Sequence, residues 1–292
     1  MPHRSASKHH RADPATALLR RNLAEALNCL ANTAKIDARV HAARKAIKRA
    51  RAALRLMRAA LKPAVYEREN RALRDAARCL SPLRDAKSLV IVCELLGKSH
   101  SMAAGGAATI SALDRRLVQR LDAARGAFAE SAERRRCALL VKASCRRVLP
   151  HAPRRADAAK LLAGLRRIYR SGRRAHACAL AERTPAALHE WRKQTKYLHA
   201  AAGALCDAGV QPLKRLVQRC ADIAQWLGDD HDLNALRQEI GHAFPGRPGT
   251  GAIVSRIDAR RRKLQRQALD RGAVVFRKKP AKFIADLSAS RL

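Results

Sequence analysis

Aromatic and acidic residues are scarce in this 292-residue chain. Phe, Trp and Tyr make up 3% of it, whereas Ala, Leu and Arg dominate, a composition that favours closely packed helices over sheets. The 24 Asp and Glu residues stand against 61 Lys and Arg residues, which leaves a net charge of +37. Self-repulsion at that charge opposes compaction. We therefore expect a polyanionic partner such as nucleic acid, an anionic membrane or a phosphate polymer.

Several sequence signals of secretion, membrane insertion and catalysis are missing. The eight cysteines contain no Cys-x-x-Cys pair, which favours reduced, buried thiols in a cytosolic protein. No apolar run reaches the length of a membrane span, and the polar, basic segment 1–13 indicates a flexible tail and not a signal peptide. There is also no Gly-rich phosphate loop and no carboxylate pair placed to hold a catalytic divalent ion. The sequence thus predicts no catalytic residue, no metal ligand and no cofactor.

Residues 40–62 contain no acidic residue, glycine or proline and are predicted to form one helix. Steps of three and four from Val40 to Leu61 meet only apolar residues, which gives a seam for packing in a bundle. The neighbouring stripe, turned by about 100°, is basic or imidazole throughout. Because like charges at this spacing repel, we expect the stripe to line a groove that holds an anionic partner. The stripe consists of His41, Arg44, Lys48, Arg51, Arg55, Arg58 and Lys62.

The start of this helix is repeated 148 residues later in the chain. Both copies have the pattern His-x-x-Arg-Lys-x-x-Lys, beginning at His41 and at His189. The segment 80–85 aligns in the same way with 227–232, and both are predicted to be turns. The two copies predict related halves whose basic helices form facing walls. The second stripe consists of His189, Arg192, Lys196 and His199.

Helical periodicity covers most of the chain. Ser81 before Pro82 has the order of an N-cap followed by proline, or of a kink. The predicted helices of the first half start near Pro14, Val40, Val65, Leu83 and Ala107, and residues 98–106 form a loop. Those of the second half span 161–180, 188–205, 210–227, 234–244 and 253–273. The predicted organisation is a tail at 1–13, an N-terminal helical half at 14–149, a linker at 150–154 and a C-terminal helical half at 155–292.

At these repeated motifs the sequence resembles the CHAD family, the conserved histidine α-helical domain. The resemblance implies an all-α domain of two four-helix-bundle halves related by a pseudo-twofold axis, which binds inorganic polyphosphate in a basic channel. Some relatives associate with polyphosphate granules. The first half departs from the commoner Leu-Gly pattern of the family, because Ser81 and Pro82 follow Leu80.

Candidate ligands for polyphosphate come from both repeats. Arginine and lysine form short, charge-assisted hydrogen bonds with phosphate oxygens, and arginine can engage two oxygens at once. A bound phosphate would favour the protonated form of the two leading histidines, so we expect affinity to strengthen as pH falls from 8 to 6. The full candidate set is His41, Arg44, Lys45, Lys48, Arg51, Arg55, Arg58, Arg71, Arg74, Arg78, Arg84, His189, Arg192, Lys193, Lys196, His199 and His231.

Two other functions compete with polyphosphate binding. The net charge alone would equally support a protein that binds nucleic acid through its phosphates, although the stripes contain no Tyr or Phe on which single-stranded bases could stack. An enzyme of phosphate metabolism is the third reading, and the run 229–232 has the composition of a metal site or an HD-type phosphohydrolase. We find no further ligands for such a site. We therefore expect Asp229 or Asp230 to cap a helix and Asp232 to pair with an arginine.

Overall fold

The computed structural model describes residues 12–32, 34–98 and 104–289. Within these ranges the chain forms eleven α-helices and three short 3-10 turns and no strand, which confirms the all-α prediction. None of these helices is both long and apolar enough to cross a membrane. The helices are Pro14–Ala31 (α1), Ile36–Leu56 (α2), Pro63–Cys79 (α3), Ser81–Lys98 (α4), Ala104–Glu130 (α5), Glu133–Val148 (α6), Ala158–Glu182 (α7), Pro185–Asp207 (α8), Lys214–Ala243 (α9), Thr250–Val275 (α10) and Pro280–Ala289 (α11).

Local capping signals set the starts of several helices. Asp13 accepts a hydrogen bond from the backbone N–H of Thr16 at 2.7 Å and so caps α1. Thr184 caps α8 through the backbone N–H of Ala187 at 3.2 Å. In both cases proline occupies the first turn, where its missing N–H costs no hydrogen bond. α1 starts at Pro14 as predicted, whereas α8 starts three residues before the predicted 188, at the cap that Thr184 provides.

Two predicted irregular segments lie partly outside the described residues. Of the tail at 1–13, residues 1–11 lie outside them, while Ala12 forms a backbone bridge with Arg155 and Asp13 is buried. Of the loop at 98–106, residues 99–103 lie outside them, and Lys98 and Gly106 belong to α4 and α5. The boundaries of the two halves and of the linker at 150–154 stay predictions.

The basic helix α2 is shorter at its C-terminal end than predicted. It ends at Leu56, and a 3-10 turn follows before α3 starts at Pro63. Lys62 is extended, as expected for a residue that precedes proline. Leu61 is nevertheless buried, so the apolar spacing continues past the end of the helix. The prediction that Arg58 and Lys62 extend the helical stripe is therefore wrong.

The two Leu-containing motifs have different backbones. α9 continues without a break through 227–232, so the turn predicted there and the capping role of its aspartates are wrong. Asp229 accepts a hydrogen bond from Gln225 at 2.7 Å, one turn earlier in the same helix. Asp230 instead accepts from Arg261 at 3.1 Å and from Gln265 at 2.8 Å, which ties α9 to α10.

In the first copy the chain does break, between α3 and α4. Only Leu80 separates these helices. Pro82 lacks the N–H that a continuous helix would need, whereas Asp229 at the matching position of α9 retains it. The hydroxyl of Ser81 donates to the carbonyl of Ala77 at 3.3 Å, so Ser81 is not the predicted N-cap.

The helix packing brings the two repeated motifs together. α2 packs against α1, α3 and α4 and also against α7 and α8, while α4 also packs on α9. α2 and α7 are in close contact at Gly164, where an added Cβ atom would lie 1.9 Å from the carbonyl oxygen of Leu56. α2 also contacts α8 directly, so the two motif-bearing helices are neighbours. The pseudo-twofold relation of the halves stays a prediction.

Candidate functional site

Five cations from three helices converge where α2, α4 and α8 meet. Their side chains are intermediate in exposure and belong neither to the core nor to the outer surface. Each interacts electrostatically with a cation from another helix. We call this group the central basic cluster. It consists of Arg44 and Lys48 from α2, Arg84 from α4, and Arg192 and Lys196 from α8.

The two lysines of the cluster are held in an unfavourable environment for charge. Burial lowers the pKa of Lys48 to about 7, and its neighbours Arg44, Lys196 and Arg192 act in the same direction. Burial likewise lowers the pKa of Lys196 to about 8, with Arg192 as the next cause. A bound anion would favour the protonated form of both lysines. In the free protein, the nearby negative charge is therefore too small to balance the positive charge of the cluster.

Three carboxylates border the cluster but do not balance it. The charge of Asp85 acts to raise the pKa values of Arg44 and Lys48, and the charge of Asp232 acts to raise those of Arg192 and Lys196. Burial outweighs both carboxylates, so all four pKa values are lowered. The predicted pairing of Asp232 with an arginine thus takes the form of an electrostatic interaction. Burial raises the pKa of the third carboxylate, Asp229.

The two repeat-related arginines are held differently. Arg44 donates one Nη1 hydrogen to the carbonyl of Ala77 at 2.6 Å and also donates to the hydroxyl of Ser81. Arg192 lies across Gly228, and a Cβ added to that glycine would be 2.9 Å from Nη2. The Ser81 departure from the family pattern thus anchors Arg44. Gly228 in the second copy leaves the room that Arg192 occupies.

The histidines of the site are neutral at pH 7 in the free protein. The Nδ1 atom of His41 accepts a hydrogen bond from Nε of Arg84 at 2.9 Å, so this nitrogen carries no proton. Burial and then the charge of Arg84 lower the pKa of His41. The ring of His189 lies 4.8 Å from that of His231, and burial lowers the pKa of His189 to about 4. Burial also lowers the pKa of His231.

The stripe on α2 continues from the cluster to Arg51 and Arg55. The guanidinium groups lie 5.7 Å and 4.3 Å from the ring centroid of Tyr197 on α8, and Nε of Arg51 donates to Asn70 at 3.1 Å. Tyr197 is 3% exposed, so it supports the arginines from below and offers no face for base stacking. The sequence analysis missed this tyrosine, although it directly follows Lys196.

Three other candidates lie near the edge of the cluster. Lys45 and Lys193 are exposed, and Lys193 forms an ion pair with Glu190 on the same helix. His199 is half-buried beside Arg49 and Lys196, and burial lowers its pKa. These side chains border the site at its solvent face.

The remaining candidates lie on the surface around α3. Arg58 covers the ring of Tyr66 at 4.6 Å from its centroid. Arg74 and Arg78 contact Asp75 at 3.3 Å and 3.4 Å, and both arginines are exposed. Arg71 is also exposed. Among the described residues, these four arginines form no hydrogen bond or ion pair with the central basic cluster. Over the part of the chain that the structure describes, no three His, Cys, Asp or Glu side chains converge to hold a metal ion.

A comparison with family models gives a match to the CHAD domain over residues 17–241. The chain belongs to the CHAD family. Among solved structures, it is similar to PptA from Streptomyces chartreusis, with a TM-score of 0.65 and 18% identity over 92% of this chain and 100% of that one. It is also similar to the CHAD domain from the plant Ricinus communis, with a TM-score of 0.59 and 18% identity over 95% and 96%. At these identities the two CHAD neighbours support the fold alone. No curated protein matches the chain.

Proposed function

We propose that this CHAD protein binds inorganic polyphosphate at the central basic cluster without chemically changing it. The observation that carries the proposal is the position of Lys48 on α2 and Lys196 on α8, which are close enough for Lys196 to lower the pKa of Lys48; burial first lowers the two pKa values, to about 7 and about 8. Burial and neighbouring cations destabilise the protonated lysines. A polyanion that enters between the helices would remove this destabilisation.

A linear phosphate polymer fits this arrangement better than nucleic acid. The cations are partly buried between helices, where a thin, unbranched chain can reach them more readily than a rigid duplex can. The tyrosines next to the basic side chains, Tyr66 and Tyr197, are 5% and 3% exposed, so stacking of single-stranded bases on them is not supported. Polyphosphate binding is also the function that the family resemblance implies. On the same resemblance we propose an association with polyphosphate granules, and on the cysteine pattern a cytoplasmic location.

The ligand class is tested by competition at physiological salt. Labelled long-chain polyphosphate is bound to the protein and displaced with unlabelled polyphosphate, duplex DNA or RNA, each matched by phosphate concentration. We expect polyphosphate to compete most strongly. Equal or stronger competition by DNA or RNA would favour the nucleic-acid function and overturn the proposal. Salt is fixed because the affinity of every polyanion depends steeply on it.

A further inference from the structure

The outer face of α7 carries a second basic stripe that the proposed site does not use. Residues 158–181 contain one lysine and five arginines and no acidic residue. Arg166, Arg170 and Arg174 recur every four residues and are exposed, so they span about 12 Å of helix. We call these three residues the α7 stripe. No acidic residue lies three or four positions from any of them in the helix, so their mutual repulsion is not offset at that spacing; the same feature singled out α2.

The α7 stripe begins where α2 ends. The two helices cross at the contact between Gly164 and Leu56. Arg55 immediately precedes this crossing on α2, and Arg167 follows it by one turn on α7. Nε of Arg55 and Nη1 of Arg167 are both buried and lack a hydrogen-bond partner within the described residues. Buried donors without partners are costly, so each of these two arginines would gain if its guanidinium turned toward an anionic group bound near the crossing.

The stripe is widened by the segment that precedes α11. Nε of Arg173 donates to the carbonyl of Phe276 at 3.2 Å, which fixes this segment beside α7. The next three residues, 277–279, are Arg-Lys-Lys and are exposed. Between 276 and 289 the sequence contains one acidic residue, Asp286, and it pairs with Lys278 and Lys282. The surface therefore retains an excess of positive charge.

We propose that a polyphosphate chain bound at the central basic cluster continues along Arg51 and Arg55, passes the α2–α7 crossing, and extends over the α7 stripe. The α7 stripe then selects long chains over short ones, because only a long chain can occupy both surfaces. This inference rests on the proposed function and adds a chain-length preference to it.

The test compares two triple variants that lose the same charge on different helices. The first changes the α7 stripe, as Arg166→Gln, Arg170→Gln and Arg174→Gln. The control changes three exposed cations on α6, as Arg135→Gln, Lys142→Gln and Arg146→Gln. Affinity for tripolyphosphate and for long-chain polyphosphate is measured by titration calorimetry over a range of salt concentrations. Thermal unfolding verifies that both variants remain folded.

We expect the α7 variant to bind long chains about tenfold more weakly and with a salt slope smaller by about 2 to 3, since it loses up to three phosphate contacts. Its affinity for tripolyphosphate should equal that of the parent, and the α6 control should retain both affinities. Equal losses for long chains in the α7 and α6 variants, or none in either, would overturn the inference while leaving the proposed function intact. Failure of the parent to bind either polymer would overturn both.

Discussion

Replacement of Lys48 by methionine should stabilise the free protein and weaken its binding of polyphosphate. Lys48 is partly buried between α2 and α8, and burial, with the help of Arg44, Lys196 and Arg192, lowers its pKa from 10.5 to about 7. Methionine keeps much of the aliphatic stem and removes the ammonium group. The variant therefore tests two effects of Lys48 separately: its destabilisation of the folded protein and its contribution to polyphosphate affinity.

The magnitude follows from proton linkage. Lys48 recovers its ordinary pKa on unfolding, so between pH 7 and 10.5 the unfolded state binds more protons and the free energy of unfolding rises with pH. With about 1.4 kcal/mol per pKa unit, Lys48 destabilises the fold by roughly 3 to 5 kcal/mol at pH 7. Of this, about 2 to 3 kcal/mol is relieved between pH 6 and pH 9. The methionine variant should lack this part of the pH dependence.

Urea unfolding at pH 6, 7.5 and 9 measures both effects. The parent is compared with Lys48→Met and with Lys142→Met, a control at an exposed lysine of α6. We expect Lys48→Met to be more stable than the parent at pH 6, with the difference narrowing toward pH 9, and Lys142→Met to follow the parent. If Lys48→Met were less stable than the parent at pH 6, or if the parent were equally stable at all three pH values, the reasoning would be refuted.

Three further variants test other parts of the account. Gly228→Ala should displace the guanidinium of Arg192 and weaken polyphosphate binding in calorimetry, while stability holds because alanine favours a helix by about 1 kcal/mol; unchanged affinity would contradict this role. Gly164→Ala should lower the free energy of unfolding in urea by about 3 kcal/mol, because its Cβ would clash with the backbone of α2; unchanged stability would argue against the crossing. The pKa values of His41 and His189 are lowered, that of His189 to about 4, so neither ring should gain charge between pH 9 and pH 6. Polyphosphate binding should weaken from pH 6 to pH 9 because the lysines lose their protons, and the double variant His41→Ala, His189→Ala should keep this dependence. Loss of that dependence in the double variant would restore the histidines as the titrating groups.

Much of the fold could be predicted from periodicity because most helices carry an apolar seam, and capping side chains mark the starts of α1, α7 and α8. Apolar periodicity gives a wrong helix end where buried residues keep the helical spacing after the helix has stopped. Leu61 follows the spacing of α2 although a 3-10 turn separates it from that helix. Prediction from the sequence failed again at Gly228, which resembled a turn signal but lies inside α9. α9 packs against both α8 and α10, and these tertiary contacts outweigh the intrinsic cost of one glycine in a helix.

The repeat alignment was the strongest predictor of the site. The alignment pairs Arg44 with Arg192 and Lys48 with Lys196, and these four side chains lie together in the central basic cluster. The protonation of the site could not be predicted in this way, because burial and the hydrogen bond from Arg84 to His41 arise from packing between helices. The support that Tyr197 gives to the arginines is likewise a contact between helices distant in sequence.

The central claim is that polyphosphate is held between α2 and α8. The most direct test measures polyphosphate affinity in two quadruple variants of equal charge at physiological salt. The first removes the repeat-related cations, as Arg44→Gln, Lys48→Gln, Arg192→Gln and Lys196→Gln. The second removes exposed cations, as Arg20→Gln, Arg135→Gln, Lys142→Gln and Arg146→Gln. We predict that the first loses most of its affinity and part of its salt dependence, while the second stays close to the parent. Equal affinity in the two variants would contradict the account.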